Sequence, residues 1–497
     1  MLIIICIVVS AFVVMAGYKP SPPQVASKKP FYLGVTYCGN STTQAEQLID
    51  KVRNYTNLFV LQSGPLMQNL NATEQICDYA VNSGLNVIFY YTLNGVGSTL
   101  DDLLNIAQAR WGSHFLGLYY EDESGGKMLD SLVNLYDTQT GDIIYKYTNG
   151  SVSIFRSNYN DSYPLTTQIT FSPTGIITNF TTAIINVPSK ITVWNSNVTV
   201  DVPVIQQSFT TTYYLNGTVT YASTSGAETN RELTYLPNGT VQNEKGEAVT
   251  GKGNISQFEP YRELWDSRPF QNYTDTANLF VSTERYALGL IGNQSALKLF
   301  TSDYALDWFD YRGGYDVVLA QLGWNQSTTQ NIALVRGAAD MQNKGWGAMI
   351  TWASLSAPYL QSSSQMYSEM RQAYESGAEY VVVFNYSPNG NGTGLLQNED
   401  FAAIQRFWTN VVQNPKDTNN VTAQDALVLP ENYGWGMRNP NDTIWGLWKP
   451  DNDSQQVWNA VQASLARYGS KLDIVYDDPA YPAAGRYQHV YYWNQTI

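Results

Sequence analysis

Histidine and cysteine are almost missing from this chain: 497 residues hold two of the first and three of the second. His114 and His489 lie far apart in the sequence, so a zinc site or a Ser-His-Asp nucleophile system has too few ligands or bases to be assembled. Three cysteines are too few for a disulfide framework. Cys6 falls in an apolar leader, Cys77 shares a helical apolar stripe with Ile76, Ala80 and Val81, and Cys38 closes the first strand pattern without a histidine to activate it. His114 precedes the central strand and belongs at the packed bottom of the domain. Charge is scarce too, at 14% of residues, and it leans acidic, with 28 Lys and Arg against 42 Asp and Glu. A net charge of -14 argues against nucleic acid or an anionic membrane surface as partner. The sequence assigns no cofactor and no metal.

What is present is apolar and aromatic: 43% of residues are hydrophobic and 13% are Phe, Trp or Tyr, enough for a large core and more than one domain. Asn, Gln, Ser, Thr and Tyr must then wet most of the surface. Nineteen N-x-S/T sequons run the length of the chain, among them Asn40, Asn71, Asn149, Asn216, Asn238, Asn325, Asn391, Asn441 and Asn494. That spread points to an exported glycoprotein. Residues 1–17, MLIIICIVVSAFVVMAG, read as a signal peptide or an N-terminal membrane anchor. The run is short of the ~20 residues of a bilayer span and lacks a basic start. Residues 18–30, rich in Pro and Ser, read as an extended linker.

From residue 31 to 135, apolar β-rich runs alternate with helical patterns: FYLGVTYCG, LFVLQSG, NVIFYYTL and FLGLYYEDE are strands, each followed by a helix, the second of them closed by Gly84. From 136 to 255 the helical period disappears and Thr, Tyr, Val, Asn and Gly dominate, with hairpin signals at Asn216-Gly217 and Asn238-Gly239. This reads as a β-rich insertion after strand four. Alternation resumes over 256–415, with KLFTSD, YDVVLAQLGWN, WGAMITWA and EYVVVFNYSP as strands, and Gly345 closing the helix before the third of these. Eight strand-helix units predict a closed (β/α)8 TIM barrel. Residues 416–497 form a small C-terminal α/β domain, whose aromatic segment NYGWGMRNPNDTIWGLWKPD is expected to pack on the barrel rather than to stack on sugars.

The chain is organised around FLGLYYEDESGGKMLD, residues 115–130, where an apolar strand stops at three consecutive acids. Period-two alternation puts Leu116, Leu118 and Tyr120 on one face and Gly117, Tyr119, Glu121 and Glu123 on the other. Catalytic groups collect at the carboxyl end of such strands. An alternative reading makes the acids a favourable charge for the following helix, with Ser124 as its N-cap. The predicted strand ends gather Tyr37, Gln62, Tyr91, Glu121, Asp122, Glu123, Asp303, Gln321, Trp324, Trp352, Asn385 and Tyr386. Carboxylates, amides and rings on one face suit a carbohydrate, because rings stack on apolar sugar faces and carboxylates bind hydroxyls. Glycoside hydrolysis needs two carboxyls flanking the bond. Glu123 and Asp303 are the expected pair, with Glu121 or Asp122 as substitutes. Tyr37, Tyr91, Gln321, Trp324, Trp352 and Asn385 are the expected substrate contacts. Crowded acids would also favour a bound cation.

Three sets of segments carry a resemblance: YEDESGGKMLD; TSDYALDWFDYRGGYDVVLAQLGWN with RGAADMQNKGWGAMITW; and LPENYGWGMRNPNDTIWGLW with LDIVYDDPA. They resemble uncharacterised archaeal cell-surface proteins with a glycoside-hydrolase-like TIM barrel. The likeness covers the barrel and the C-terminal unit, not the insertion, and that unit is similar to the amidotransferase-like domain following some glycosidase barrels. The resemblance implies the barrel fold and a surface location, and it singles out Asp122, Glu123 and Asp303. Two functions stay open: a cell-surface glycoside hydrolase, or a non-enzymatic envelope component such as a surface-layer, filament or sugar-binding protein.

Overall fold

A computed structural model describes residues 30–91, 99–158, 165–185, 191–192, 199–200, 205–225, 228–291, 297–386, 394–414 and 421–495. The leader and linker expected over 1–29, and the sequon at Asn391, lie outside the described residues. By contacts the chain divides into Met1–Phe31 and Tyr32–Ile497, and the second unit holds every described strand and helix. Among the described residues no helix is long and apolar enough to cross a membrane.

Eight strands close a barrel: β1 (Tyr32–Tyr37), β2 (Leu58–Leu61), β3 (Asn86–Tyr91), β4 (Phe115–Tyr120), β5 (Leu299–Asp303), β6 (Val317–Leu322), β7 (Gly345–Ile350) and β8 (Tyr380–Val383). Every neighbouring pair is parallel, and β8 returns to pair with β1 through Tyr32 opposite Tyr380. Such strands are buried on both faces, which is why they read as continuous apolar runs. Helices that succeed or flank them include α1 (Thr42–Val52), α2 (Leu70–Asn82), α3 (Thr99–Ile106), α4 (Ser124–Asp130), α5 (Tyr273–Leu290), α6 (Asp307–Gly313), α7 (Thr328–Gln342), α8 (Ser363–Glu375) and α9 (Asn398–Phe407). Side-chain caps set several starts: Ser41, Asn69, Asn272, Ser327 and Ser362 each accept a backbone N–H of their helix's first turn. The helix before β7 ends on Asn343 in the left-handed region, not on Gly345, which opens the strand.

The barrel interior holds Leu58, Val60, Ile88, Tyr119, Phe300, Val317, Leu319, Met349, Tyr380 and Val382. Its lower part is filled by rings, with Tyr32 stacked on Tyr380 at 5.1 Å and Phe300 edge-on to it at 5.1 Å. Side chains this large need bare backbone opposite them. A Cβ on Gly347 would fall 2.6 Å from both Leu319 Cδ2 and the Tyr380 carbonyl oxygen.

Between β4 and β5 the chain forms a nine-stranded antiparallel sheet running from Val133–Tyr136 to Val241–Asn243. Its hairpins turn at Gly217 and Gly239, whose φ of 80° and 86° suit glycine. After the barrel come β9 (Asp425–Leu429), α10 (Ser454–Tyr468), β10 (Leu472–Tyr476) and β11 (His489–Tyr492), with the three strands parallel and β9 central. Arg336 of α7 meets Asp473 of β10 at 2.7 Å, with 3% and 0% of their side chains exposed. Trp435 and Trp445 are fully buried, the latter against Phe280 and Phe309, so the aromatic segment packs.

Candidate functional site

β4 carries its acids on a backbone that breaks strict alternation twice. Its register against β3 shifts between Val87 and Ile88, and Gly117 sits at φ 148°, where a Cβ would meet the Lys298 carbonyl oxygen at 2.2 Å. Leu116 and Tyr119 therefore both face the barrel interior. Past the strand, Glu121 and Glu123 take the left-handed conformation, φ 51° and 60°, which non-glycine residues adopt at a cost of ~1 kcal/mol or more each. In consequence Asp122, not Glu121, returns to the Tyr119 face.

The Tyr119 hydroxyl donates to Asp122 Oδ1, and Ser302 Oγ donates to the same oxygen at 2.9 Å. Gln321 Nε2 donates to Ser302 Oγ at 3.1 Å and to Glu123 Oε1 at 2.7 Å. Asp122 and Glu123 are thus laced together through Ser302 and Gln321 above the plugged interior. Lys127 Nζ donates to the Asp122 carbonyl oxygen. Aromatic rings continue the cluster. The Trp324 indole N–H reaches Gln321 Oε1 at 3.4 Å, and Trp352 lies 6.3 Å from Trp324, 5.6 Å from Tyr359, 6.2 Å from Phe384 and 5.9 Å from Tyr386, stacked on the last. The Trp352 indole N–H and Gln62 Oε1 are shielded and have no partner among the described residues. Burial pushes both Asp122 and Glu123 up from the ordinary carboxyl range. The hydroxyls of Tyr119 and Ser302 and the charge of Lys127 pull Asp122 back against the charge of Glu121; the Asp122 charge pushes Glu123 further, while the Gln321 hydrogen bond and the charge of Lys127 pull it back.

The short helix behind these acids is clamped at both ends. Asp303 accepts from Gly125 N at 2.6 Å and Gly126 N at 2.8 Å, and Lys146, fully buried, donates to the Met128 carbonyl at 2.6 Å. Asp130 is gripped by Arg438 and by the Tyr304 hydroxyl. A Cβ on Gly126 would strike the Tyr304 ring at 2.1 Å, so the helix sits flush against the chain that leaves β5.

Asp303 is thereby corrected. Alternation along β5 turns Phe300 and Ser302 inward and leaves Thr301 and Asp303 outside the barrel, where Asp303 is 0% exposed and occupied with backbone amides. It does not flank a ligand in the mouth. Ser124 is the first helical residue and not the cap; Glu123 occupies the cap position without a side-chain bond. Glu121 borders a flanking cavity of about 440 Å³, which Asp122, Lys127, Glu284 and Tyr286 also line. Tyr37 bonds both backbone groups of Ser41 and is 1% exposed; Tyr91 is 5% exposed on the outer barrel face. Asn385, 2% exposed, accepts from Leu396 N at 3.0 Å and organises its own loop. These three build walls. Cys38 is no thiolate, since burial pushes its thiol up to about 12. His114 lies before β4 at the opposite end, and His489 pairs with Asp425 at 2.9 Å. Tyr119, Ser302, Lys127, Phe384 and Tyr359 were missed from sequence. Anchoring the alternation on Phe300 would have selected Ser302 over Asp303.

Fold and site together define a parallel α/β barrel with a carboxyl, hydroxyl and amide cluster at the carboxyl end of its strands. No protein-family model matches the chain, and no curated protein matches it.

Proposed function

We propose that this is an exported, glycosylated cell-surface protein whose glycoside-hydrolase-like barrel acts on or binds carbohydrate. One observation carries the reading: the carboxyls of Asp122 and Glu123 share one hydrogen-bonded floor, and Trp324, Trp352 and Tyr386 stand beside it. Rings and hydroxyl-binding carboxylates are what a pyranose needs. On the same reading the residues near 136–255 are a β-rich module inserted after strand four, and residues 416–497 a C-terminal α/β domain. Residues 1–17 serve as signal peptide or anchor and residues 18–30 as linker. The sequons at Asn40, Asn71, Asn149, Asn216, Asn238, Asn325, Asn391, Asn441 and Asn494 carry the glycans.

A non-enzymatic envelope component is the second reading. What favours it is the position of Asp303, which removes the acid expected opposite Glu123. A glycan panel incubated with purified protein separates the two. Released sugar that disappears in Glu123→Gln supports the hydrolase; retention of glycan without release, abolished in Trp352→Ala, supports the binding protein. Neither retention nor release across the panel removes the carbohydrate reading.

A further inference from the structure

We infer that the barrel mouth turns over N-acetylated amino sugars, using the substrate's own acetamido oxygen as the nucleophile. This rests on the carbohydrate reading above and deepens it. Among the described residues, the stretches leaving the eight strands, 38–41, 62–63, 121–123, 304–306, 323–327, 351–362, 384–386 and 394–397, have Glu121, Asp122 and Glu123 as their acids, and the sequence of 92–98 and 387–393 holds none. Asp303, which ends β5, is turned outward onto α4, and Asp122 and Glu123, not Glu121, are the acids bonded to Ser302 and Gln321. The mouth is left with two consecutive acids hung from a single turn. A hydrolase with its own nucleophile, or with a water-activating base, sets its second carboxyl across the sugar ring from the acid. Two side chains laced together through Ser302 and Gln321 approach from one side. The missing nucleophile must then come with the substrate.

An acetamido group on the carbon next to the anomeric centre supplies it, because its carbonyl oxygen closes a five-membered ring onto the anomeric carbon. Asp122 and Glu123 fit the two tasks that remain. Glu123 spends Oε1 on Gln321 and, among the described residues, keeps Oε2 for the glycosidic oxygen; Asp122 spends Oδ1 on both hydroxyls and keeps Oδ2 for the acetamido N–H. Protonated Glu123 donates its proton to the glycosidic oxygen as the anomeric C–O bond breaks and the carbonyl oxygen bonds to the anomeric carbon. The resulting oxazolinium carries positive charge, which ionised Asp122 offsets. Water then gives a proton back to Glu123 and its oxygen to the anomeric carbon, reopening the ring with net retention. The indoles of Trp324 and Trp352 supply an apolar wall for the acetyl methyl.

The test uses the full chain with aryl N-acetyl-glucosaminides and N-acetyl-galactosaminides of both anomeric configurations, the matching aryl glucosides and galactosides, and a thiazoline mimic of the ring-closed intermediate. Turnover of the N-acetylated substrates at least ~100-fold above their hydroxyl counterparts is expected, the scale of a lost catalytic group. In addition, kcat/KM should fall with each fluorine placed on the acetyl methyl, which weakens the nucleophile. Asp122→Asn and Glu123→Gln should each lower turnover at least ~100-fold, with the thermal transition unchanged and thiazoline binding retained by Glu123→Gln. Hydrolysis indifferent to fluorine, equal cleavage of the hydroxyl sugars, or thiazoline binding without turnover overturns the inference while leaving the carbohydrate reading intact. No binding and no turnover of any of these sugars overturns both.

Discussion

Replacing Asp310 with asparagine should raise the stability of this protein at alkaline pH and flatten its dependence on pH. Asp310 is fully buried on α6, and neither of its carboxyl oxygens meets an N–H or O–H donor. What it faces are carboxyls: Asp303 from β5, Asp307 from its own helix, and Glu284 from α5, itself bonded to the Tyr315 hydroxyl at 3.3 Å. Among the described residues no lysine or arginine forms an ion pair with any of the four. Burial pushes Asp303 and Asp310 far up, Asp307 up to about 7 from an ordinary 3.8, and Glu284 up to about 7 from 4.5.

Raised carboxyls bind protons more tightly folded than unfolded. Their stabilising share is therefore complete below the ordinary values near pH ~4 and is lost as pH climbs through the folded values. For Asp307 alone, at about 1.4 kcal/mol per pH unit, the loss between pH ~4 and ~7 is on the order of 4 kcal/mol. Asp310→Asn removes a carboxyl whose ionisation at alkaline pH would add a like-charge repulsion of about 3 to 4 kcal/mol at an effective dielectric near 20. Thermal melts of wild type and variant from pH ~4 to ~9 would show wild type falling steadily and the variant falling less, with the curves crossing or diverging in the variant's favour at the alkaline end. A wild type that gains stability from pH ~5 to ~8, or a variant that parallels it throughout, would refute the reasoning.

Three other outcomes rest on single contacts. Asp303→Ala leaves the amides of Gly125 and Gly126 unbonded inside the fold, and should cost about 3 kcal/mol in urea melts; unchanged melts would mean that α4 is held by other contacts. Arg336→Ala strands the buried Asp473 carboxylate and should cost about 3 to 5 kcal/mol by the same measurement, while an effect near zero would contradict the burial of the pair. Glycopeptide mass spectrometry should find sugar on the exposed turn asparagines Asn216 and Asn238 and none on Asn385, an asparagine of an Asn-Tyr-Ser sequon that is itself 2% exposed; a glycan on Asn385 would mean that it becomes accessible.

The barrel was legible because doubly buried parallel strands announce themselves: LFVL and VVLAQL have no polar side to alternate with, or almost none. The Asn-Gly turns and the capping Ser and Asn residues are local chemistry and were equally readable. The site was half legible. Glu123, Asp122, Gln321, Trp324 and Trp352 come from strand ends and lie in one cluster, but three features depend on partners distant in sequence. The register shift between β3 and β4 is a tertiary event that reverses the parity of Leu116. The left-handed turn at Glu121 and Glu123 results from the position of α4, fixed by Asp303 from 178 residues away. Tyr37, Tyr91 and Asn385 are polar residues at strand ends that spend themselves on neighbouring backbone or outer packing, and nothing in their own sequence context separates them from ligand contacts.

The central claim is that a sugar sits on Trp352 above Asp122 and Glu123, and the most direct measurement is calorimetric titration of a glycan from the panel into wild type, Trp352→Ala and Glu123→Gln. Binding weakened by ~30-fold or more in Trp352→Ala, the scale of about 2 kcal/mol for a ring at the centre of an interface, and largely kept in Glu123→Gln is the predicted result. Undiminished affinity in Trp352→Ala, with the variant folded, would place the sugar elsewhere and contradict the claim.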